Sequence, residues 1–296
     1  MHTNRLGIIL AGGSGTRLRP MTDVINKHLL PVFDKPMIFY PISTLMQANI
    51  RDIVIISSKE QIRNFEALLG DGTKFGINFV YRIQENAGGI PQAFEICADL
   101  IPNKEVWLTL GDNIFFGQGF SEHLKRPMAK DAQIFALKVK NPRDFGVVEI
   151  DSFGNPLSIV EKPKIPKSEL ASVGLYRYRA GLEYKIKQLT PSSRGEFEIT
   201  DINNMYIKDD QLELNILGRG LYWCDAGTIE RLLEAGQFIK LSQNSNNYLI
   251  GCPEEIALDY GWINPSYILE QFTKYRPKNH YQEYVYRLAK SRLSNI

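Results

Sequence analysis

Two aspartates, two lysines, an arginine and a run of glycines are the residues here whose types could handle phosphate. Gly12-Gly13-Ser14-Gly15-Thr16 interrupts an apolar run, Leu6 to Ala11, and Arg17 and Arg19 follow at once. Glycine lets the backbone reach positive φ and lets its N–H groups approach a ligand closely. A row of such N–H groups makes a concave anion nest, and arginine adds a fork that pairs with phosphate oxygens. The stretch reads as a polyphosphate cradle. It is not a Walker A loop, which needs Lys-Ser/Thr after its last glycine, whereas Thr16-Arg17 follows Gly15 here. Nor is it a dinucleotide fingerprint: counted from Gly13, the third glycine position is Leu18. The acidic residue that would hold a ribose is also missing at Ser57-Ser58, with Glu60 slightly late. On this stretch alone, a glycine-rich turn without a ligand stays open.

Asp112 and Asp225 each follow an apolar run, in LGDNIF and YWCDAGT. A lone aspartate after a strand is ordinarily a turn residue or a helix cap. Beside a phosphate cradle, two of them suggest a Mg²⁺ site, since this ion takes one or two carboxylates and completes its shell with substrate phosphates. Lys27, after the loop, and Lys162, before Pro163 in VEKPK, are candidate point charges, although most lysines are simply solvated. His2, His28, His123 and His280 have no metal-like spacing, and no Ser/His/Asp arrangement is suggested. Direct displacement between two bound phosphates fits better than a covalent enzyme intermediate.

Elements that would position these groups follow from periodicity. Apolar runs at 6–11, 53–57, 77–84 and 105–116 read as strands, the last stopping abruptly at Gly111-Asp112-Asn113. Between them lie amphipathic helical patterns: one starting at DKP with Pro36 near its first position, EQIRNFEALL ended by Gly70, and one opened by Pro91. Alternation of this kind predicts an α/β fold, Rossmann-like, with a mixed, mainly parallel sheet flanked by helices. Ligands then bind beyond the carboxyl ends of the strands, where the glycine loop, Gln84 with Gly88-Gly89, and Asp112 all fall. Strands at 133–139, 146–151, 156–163 and 171–179 add a β-rich region that extends the sheet and builds a second wall of the site. QLELNILG and LYWCD are two more strands, the second closing on Asp225, and GTIERLLEAGQFIKLSQ is a helix with Leu232, Leu233 and Phe238 as core residues. SQNSNN reads as a polar linker. The division is therefore a core of 1–240 and a helical C-terminal segment of 241–296, with Tyr281, Tyr284, Val285 and Leu288 on one face of its last helix. That face is expected to pack on the body; a subunit interface or a regulatory pocket is the alternative.

The 296 residues, 44% hydrophobic and 23% charged, are ordinary globular composition. A net charge of +2 leaves no electrostatic footprint for nucleic acid. Cys97, Cys224 and Cys252 make no metal pair or disulfide framework and are expected as buried free thiols. With no apolar run near membrane-span length and no room for a leader before the first strand, a cytoplasmic location without membrane partners is expected.

Taken in order, GIILAGGSGTRLRP, KHLLPVFDKPMIFYPISTLM, LLGDG, LGDNIF, FGVVEID, VEKP, RGEFEITDIN, WCDAGT and CPEEIA resemble the sugar nucleotidyltransferases, specifically the glucose-1-phosphate thymidylyltransferase family, over nearly the whole chain. The resemblance implies transfer of a thymidylyl group from dTTP to α-D-glucose 1-phosphate, giving dTDP-glucose and pyrophosphate with inversion at phosphorus. It implies that Leu10, Gly12, Gly13, Ser14, Gly15 and Thr16 bind the nucleotide, with Gln84 and Gly89 reading the thymine edge. Arg17 would stabilise departing pyrophosphate, Lys27 would bind around the α-phosphate, and Lys162 would grip the sugar phosphate. Asp112 and Asp225 would ligate Mg²⁺, and Asn113, Gly146, Glu161 and Val173 would line the sugar pocket. A homotetramer and feedback inhibition by a downstream dTDP-sugar are further expectations of the resemblance. The chain departs from the pattern at His28 (NKHLLP for SKQLLP), Gly88, Pro91, Phe145 and the alanine of DAGT, each bordering a pocket and none at a charged catalytic position. Three other readings are weighed beside it. UTP or another hexose 1-phosphate could serve the same chemistry, because one methyl in an apolar pocket is worth only about 1–3 kcal/mol. A non-catalytic sugar-nucleotide sensor would be expected to lose Arg17, Lys27 or a metal aspartate, and all are present. An NAD-dependent oxidoreductase lacks its third glycine.

Overall fold

In the computed structural model, which describes residues 4–179, 181–192, 195–273 and 275–294, the first apolar run becomes β1 (Arg5–Leu10), buried along its interior. A two-residue hairpin, β2 (Pro31–Val32) and β3 (Lys35–Pro36), leads into α1 (Phe39–Gln47). Then come β4 (Asp52–Ser57), α2 (Ile62–Leu69), β5 (Asn78–Ile83), α3 (Gln92–Ile96) and β6 (Glu105–Leu110). The second half runs β7 (Asn113–Phe116), α4 (Phe120–Lys125), β8 (Ala132–Lys138), β9 (Gly146–Ile150), β10 (Pro156–Glu161) and β11 (Leu170–Tyr178). After α5 (Leu182–Ile186) and α6 (Ile199–Lys208), β12 (Leu212–Ile216) and β13 (Tyr222–Asp225) close the sheets. The remainder is helical: α7 (Ile229–Ser245), α8 (Pro253–Asp259), α9 (Pro265–Gln271) and α10 (His280–Ser294).

Nine strands form one mixed sheet in the order β10-β9-β11-β6-β1-β4-β5, with β8 on β11 and β12 on β8. The four-strand half β6-β1-β4-β5 is wholly parallel. In the other half β11 runs antiparallel to β6, β8 and β9, as β9 does to β10. Neighbours in β1 point to opposite faces, as pleating requires. Ile9 joins Leu45, Phe65, Trp107 and Phe135 on one side, while Ile8 joins Phe94, Leu108, Tyr178 and Ile202 on the other. The fold is thus the helix-flanked mixed sheet that the alternating pattern predicts.

Several expectations shift by local physics. The helix expected from DKP begins only at Phe39, because the Met37 and Ile38 amides donate back to Leu30 and His28 carbonyls and tie the post-proline residues to the preceding loop. The run 105–116 is two strands rather than one: β6 stays in the large sheet, and β7 leaves it to pair antiparallel with β13. Leu233 is an exposed residue, since the buried line of α7 runs through Ala235, Ile239 and Gln243. The expected SQNSNN linker begins inside α7, which continues to Ser245. α10 buries Tyr284 and Val285 against Leu249, Cys252 and Ile268 of the same C-terminal segment, with Leu288 packed alongside, while Tyr281 meets Phe39 of α1 edge-on with ring centroids 6.4 Å apart. All three cysteines are buried free thiols. Among the described residues no helix is long and apolar enough to cross a membrane.

Candidate active site

Parallel strands deliver their carboxyl ends to one rim. There β1 opens into the glycine loop, β5 into Gln84, and β6 into Gly111-Asp112. Gly15 sits at φ 62°, and a 3₁₀ turn, Thr16–Leu18, follows it. Thr22 donates its hydroxyl to the Gly15 carbonyl at 2.7 Å, bracing the loop from outside. The amides of Gly12, Gly13, Ser14 and Gly15 find no backbone or side-chain acceptor among the described residues. A row of uncommitted N–H groups beside arginine is an anion nest. Gly12 is fixed by crowding: a Cβ there would lie 2.0 Å from Gln84 Oε1. Gln84 itself is buried and donates to Gln92 Oε1 at 2.7 Å, which also accepts the Gly88 amide at 3.0 Å. Gly89, at φ 99°, bridges to Phe197, whose carbonyl oxygen would meet a Cβ at 2.1 Å. Gln84 and Gly89 therefore lie on one tightly packed wall beside the loop. Within RGEFEITDIN, Arg194 lies outside the described residues, as does Ser193 before it.

Asp112 is 7% exposed, and its carboxylate is paired with the Lys27 ammonium. Burial alone would raise its pKa, but the Lys27 charge and hydrogen bond, with His28 and the Asn113 amide, together outweigh that and hold it at about 2. Asp225 sits on the neighbouring backbone: its strand partner is Asn113, and the Ala226 amide donates to the Asp112 carbonyl at 2.9 Å. Burial and the Asp112 charge push Asp225 upward, against Lys27, Arg231 and Arg17. The rim therefore carries one firmly compensated carboxylate and one that still gains from added positive charge. Arg17 reaches the same place, its guanidinium lying 2.8 Å from where a Cβ on Gly227 would project.

A cavity of 200 Å³ opens beside this pair, with Arg17, Asp112, Asn113, Gly146, Glu161, Lys162 and Asp225 in its wall. Gly146 and Glu161 are strand partners, and the Lys162 amide donates to the Phe145 carbonyl at 3.0 Å. Lys162 itself has φ 44°, the left-handed region, which turns the chain out of β10. Asn113 lines the wall as a brace. Its amide donates to Asp112 Oδ1 at 3.0 Å, and its carbonyl accepts from the Gly174 amide and Trp223 Nε1 at 3.1 and 2.7 Å. Val173 is placed differently from the expectation: its side chain is fully buried in the core beside Leu175, and Ser172 and Gly174 supply that strand's share of the wall. Leu10 is half-buried, packed on the core where the loop begins.

Two neighbours, Asn26 and Arg231, escape sequence reasoning, and His28 enters it only as a departure from the family pattern. Asn26 donates to the Ala11 carbonyl at 2.9 Å and to Ser57 Oγ at 3.4 Å, and accepts the His28 amide at 2.9 Å. It staples the segment carrying Lys27 to the ends of β1 and β4; its sole sequence signal is a cap residue before a short turn. His28 is buried, and burial with Lys27 beside it pushes its pKa down to about 3, so the ring is neutral near pH 7. The ring packs where Gly111 leaves room, within 2.6 Å of a Cβ position there. Arg231 donates to Asp225 at 3.3 Å and to Asp144 at 2.7 Å.

A divalent cation fits these donors. Among the described residues no group of three or more ligating side chains gathers anywhere, which argues against a closed protein cage. Two adjacent carboxylates, Asp112 buried and Asp225 half-buried, match an ion that draws its remaining oxygens from water and substrate phosphate.

Residues 6–242 match the family described as Nucleotidyl transferase. A glucose-1-phosphate thymidylyltransferase of Neisseria meningitidis is 50% identical over 286 residues, 96% of this chain and 99% of that protein. One from Xanthomonas campestris is 46% identical, covering 97% of this chain and 98% of the relative. A crystal structure of a Bacillus anthracis protein assigned to the same activity, in complex with a sucrose, superposes with a TM-score of 0.72 at 43% identity, over 79% of this chain and 94% of that one. A UDP-glucose pyrophosphorylase complexed with UDP-glucose shares the fold, with a TM-score of 0.70 at 21% identity over 80% and 99% of the two chains. Sequence and fold agree: the chain belongs to the nucleotidyl transferases and, among them, to the glucose-1-phosphate thymidylyltransferase family.

Proposed function

We propose that this chain transfers the thymidylyl group of dTTP to α-D-glucose 1-phosphate, releasing pyrophosphate. A sugar-phosphate oxygen forms the new bond to the α-phosphorus as the bond to the β-phosphate bridging oxygen breaks. Pyrophosphate leaves with that electron pair, and no proton need move, because the attacking phosphate is already ionised. The observation that carries this reading is the rim itself, where Lys27, Asp112 and Asp225 converge beside a glycine loop with uncommitted amides.

Residues 12–16 bind the triphosphate through backbone N–H groups, and Gln84 and Gly89 face the base. Arg17, beside Asp225, meets charge building on the departing pyrophosphate. Lys27 exchanges Asp112 for the α-phosphate region, and Lys162, half-exposed at the cavity mouth, holds the incoming sugar phosphate. Asn113 keeps Asp112 oriented, and Gly146 with Glu161 shapes the sugar side. Fixed cations and dipoles aimed at developing charge, with both reactants held in line, are the means of catalysis available. Asp112 and Asp225 would hold Mg²⁺, which when bound neutralises phosphate charge and orients the phosphates.

The test is an omission assay. Pyrophosphate is expected when dTTP, glucose 1-phosphate and Mg²⁺ are all supplied, and its release should fail when any one is withheld or when EDTA is added. Release from dTTP without the sugar phosphate would overturn the reading, and UTP in place of dTTP measures how strongly the thymine methyl is read.

A further inference from the structure

The turn Pro142–Asp144 feeds through Phe145 into Gly146, whose partner is Glu161. Phe145 also accepts the Lys162 amide. The position of this turn therefore sets the backbone of the lysine at the cavity mouth. Across the cleft stands Arg231, in the first turn of α7, with its own amide on the Thr228 cap at 3.3 Å. One nitrogen of its guanidinium reaches Asp144 Oδ2 at 2.7 Å, the other reaches Asp225 Oδ2 at 3.3 Å, and its carbon lies 5.3 Å from the Phe145 ring centroid. Phe145 in turn packs edge-on to Trp223 with centroids 5.0 Å apart, and Trp223 donates to Asn113.

We propose that Arg231 is a positioning residue for the sugar phosphate: by bridging Asp144 to Asp225 it holds the 141–145 turn, and Lys162 with it, at a set distance from the carboxylates at the reacting centre. The inference deepens the reading above and rests on it for the identity of the substrate. An isolated bridge to Asp144, which is 56% exposed, would carry little. Here a planar fork meets two carboxylates and a ring at once, a task that guanidinium geometry suits and a single ammonium does not. Its location also needs a reason, because a cation in the first turn of a helix opposes the helix dipole. Two acidic partners there supply one.

The experiment compares Arg231→Met, Arg231→Lys, Asp144→Ala and the Met/Ala double variant with the wild type. Arg231→Met should raise KM for glucose 1-phosphate roughly tenfold, the loss of about one charge-assisted contact, while KM for dTTP stays within about twofold. Arg231→Lys should behave like Arg231→Met, and Asp144→Ala should reproduce the sugar effect. The double variant should be no worse than the worse single, as residues acting through one bridge require. Backbone hydrogen exchange over 140–146, which needs no substrate, should rise in Arg231→Met. Equal changes in both KM values, full rescue by lysine, additive singles, or unchanged exchange over 140–146 would each overturn the inference. A wild type that makes no pyrophosphate from the two substrates would sink the functional reading, and the exchange measurement would still decide the role of Arg231 in holding the turn.

Discussion

Lys27 and Lys35 lie eight positions apart, and each has its ammonium beside an aspartate, yet the surroundings assign them different work. Lys35 is 4% exposed. Its nitrogen meets Asp34 at 2.5 Å, the Ile250 carbonyl at 3.0 Å and Gln243 Oε1 at 3.4 Å, with the rings of Tyr40 and Tyr281 at 5.2 and 5.5 Å. Gln243 also donates to Asp34. Three acceptors and two aromatic walls saturate that cation and fasten the β2–β3 hairpin to α7 and the segment beyond it. Lys27 has one ion-pair partner among the described residues, Asp112, and stands beside a loop whose amides have no acceptor there. A saturated buried pair serves architecture; a pair with one carboxylate at an open rim can change partners when a phosphate arrives.

Substitution by methionine at both positions would break or sharpen this contrast. Lys27→Met should cut kcat per folded molecule by about 10²–10³, as expected for removing one preorganised charge from a transition state, and it should also cost stability, because it strips the buried Asp112 of its cation. Lys35→Met should instead leave Asp34 uncompensated in the interior and cost about 3–5 kcal/mol of stability, measured by denaturant unfolding, while kcat per folded molecule is retained. A large loss of kcat per folded molecule at Lys35, or kcat per folded molecule retained in Lys27→Met, would erase the distinction.

A smaller effect belongs to the same structural region. Glu254 is half-buried, hydrogen-bonded to the Tyr281 hydroxyl and faced by Cys252 and Lys74. Burial raises its pKa above the ordinary glutamate value of 4.5. The folded chain then binds the proton more tightly than the unfolded chain, so the contribution of this carboxyl is complete below the unfolded value and is lost as pH rises through the folded one. Unfolding measured across that window should show the wild type losing stability relative to Glu254→Gln as pH increases. A constant difference would place the raised pKa elsewhere.

The sequence exposes the catalytic rim better than it exposes the scaffold that holds it. Gly12 to Arg17 and Asp112 are legible because each interrupts an apolar run at the end of a strand in the parallel half, which must bring those ends together; Asp225 also ends an apolar run, but the pairing of β13 with β7 is what brings it to the rim. What stays hidden depends on contacts distant in the chain. The break of 105–116 into two strands is set by pairing with residues 222–225. The late start of α1 is set by bonds back to residues 28 and 30. Val173 looks equivalent to its neighbours in sequence, but pleating turns it into the core while Ser172 and Gly174 face the cavity. Arg231 shows no signal at all, because its partners lie 6 and 87 positions away on other elements.

The most direct test is a crystal structure of the chain with dTTP and Mg²⁺, read at the two lysines. The triphosphate should lie along residues 12–17, with the Lys27 ammonium moved from Asp112 to a phosphate oxygen and Lys35 still on Asp34, Gln243 and Ile250. A triphosphate bound away from that loop, with Lys27 unmoved on Asp112, would contradict the assignment of the rim as the reacting centre.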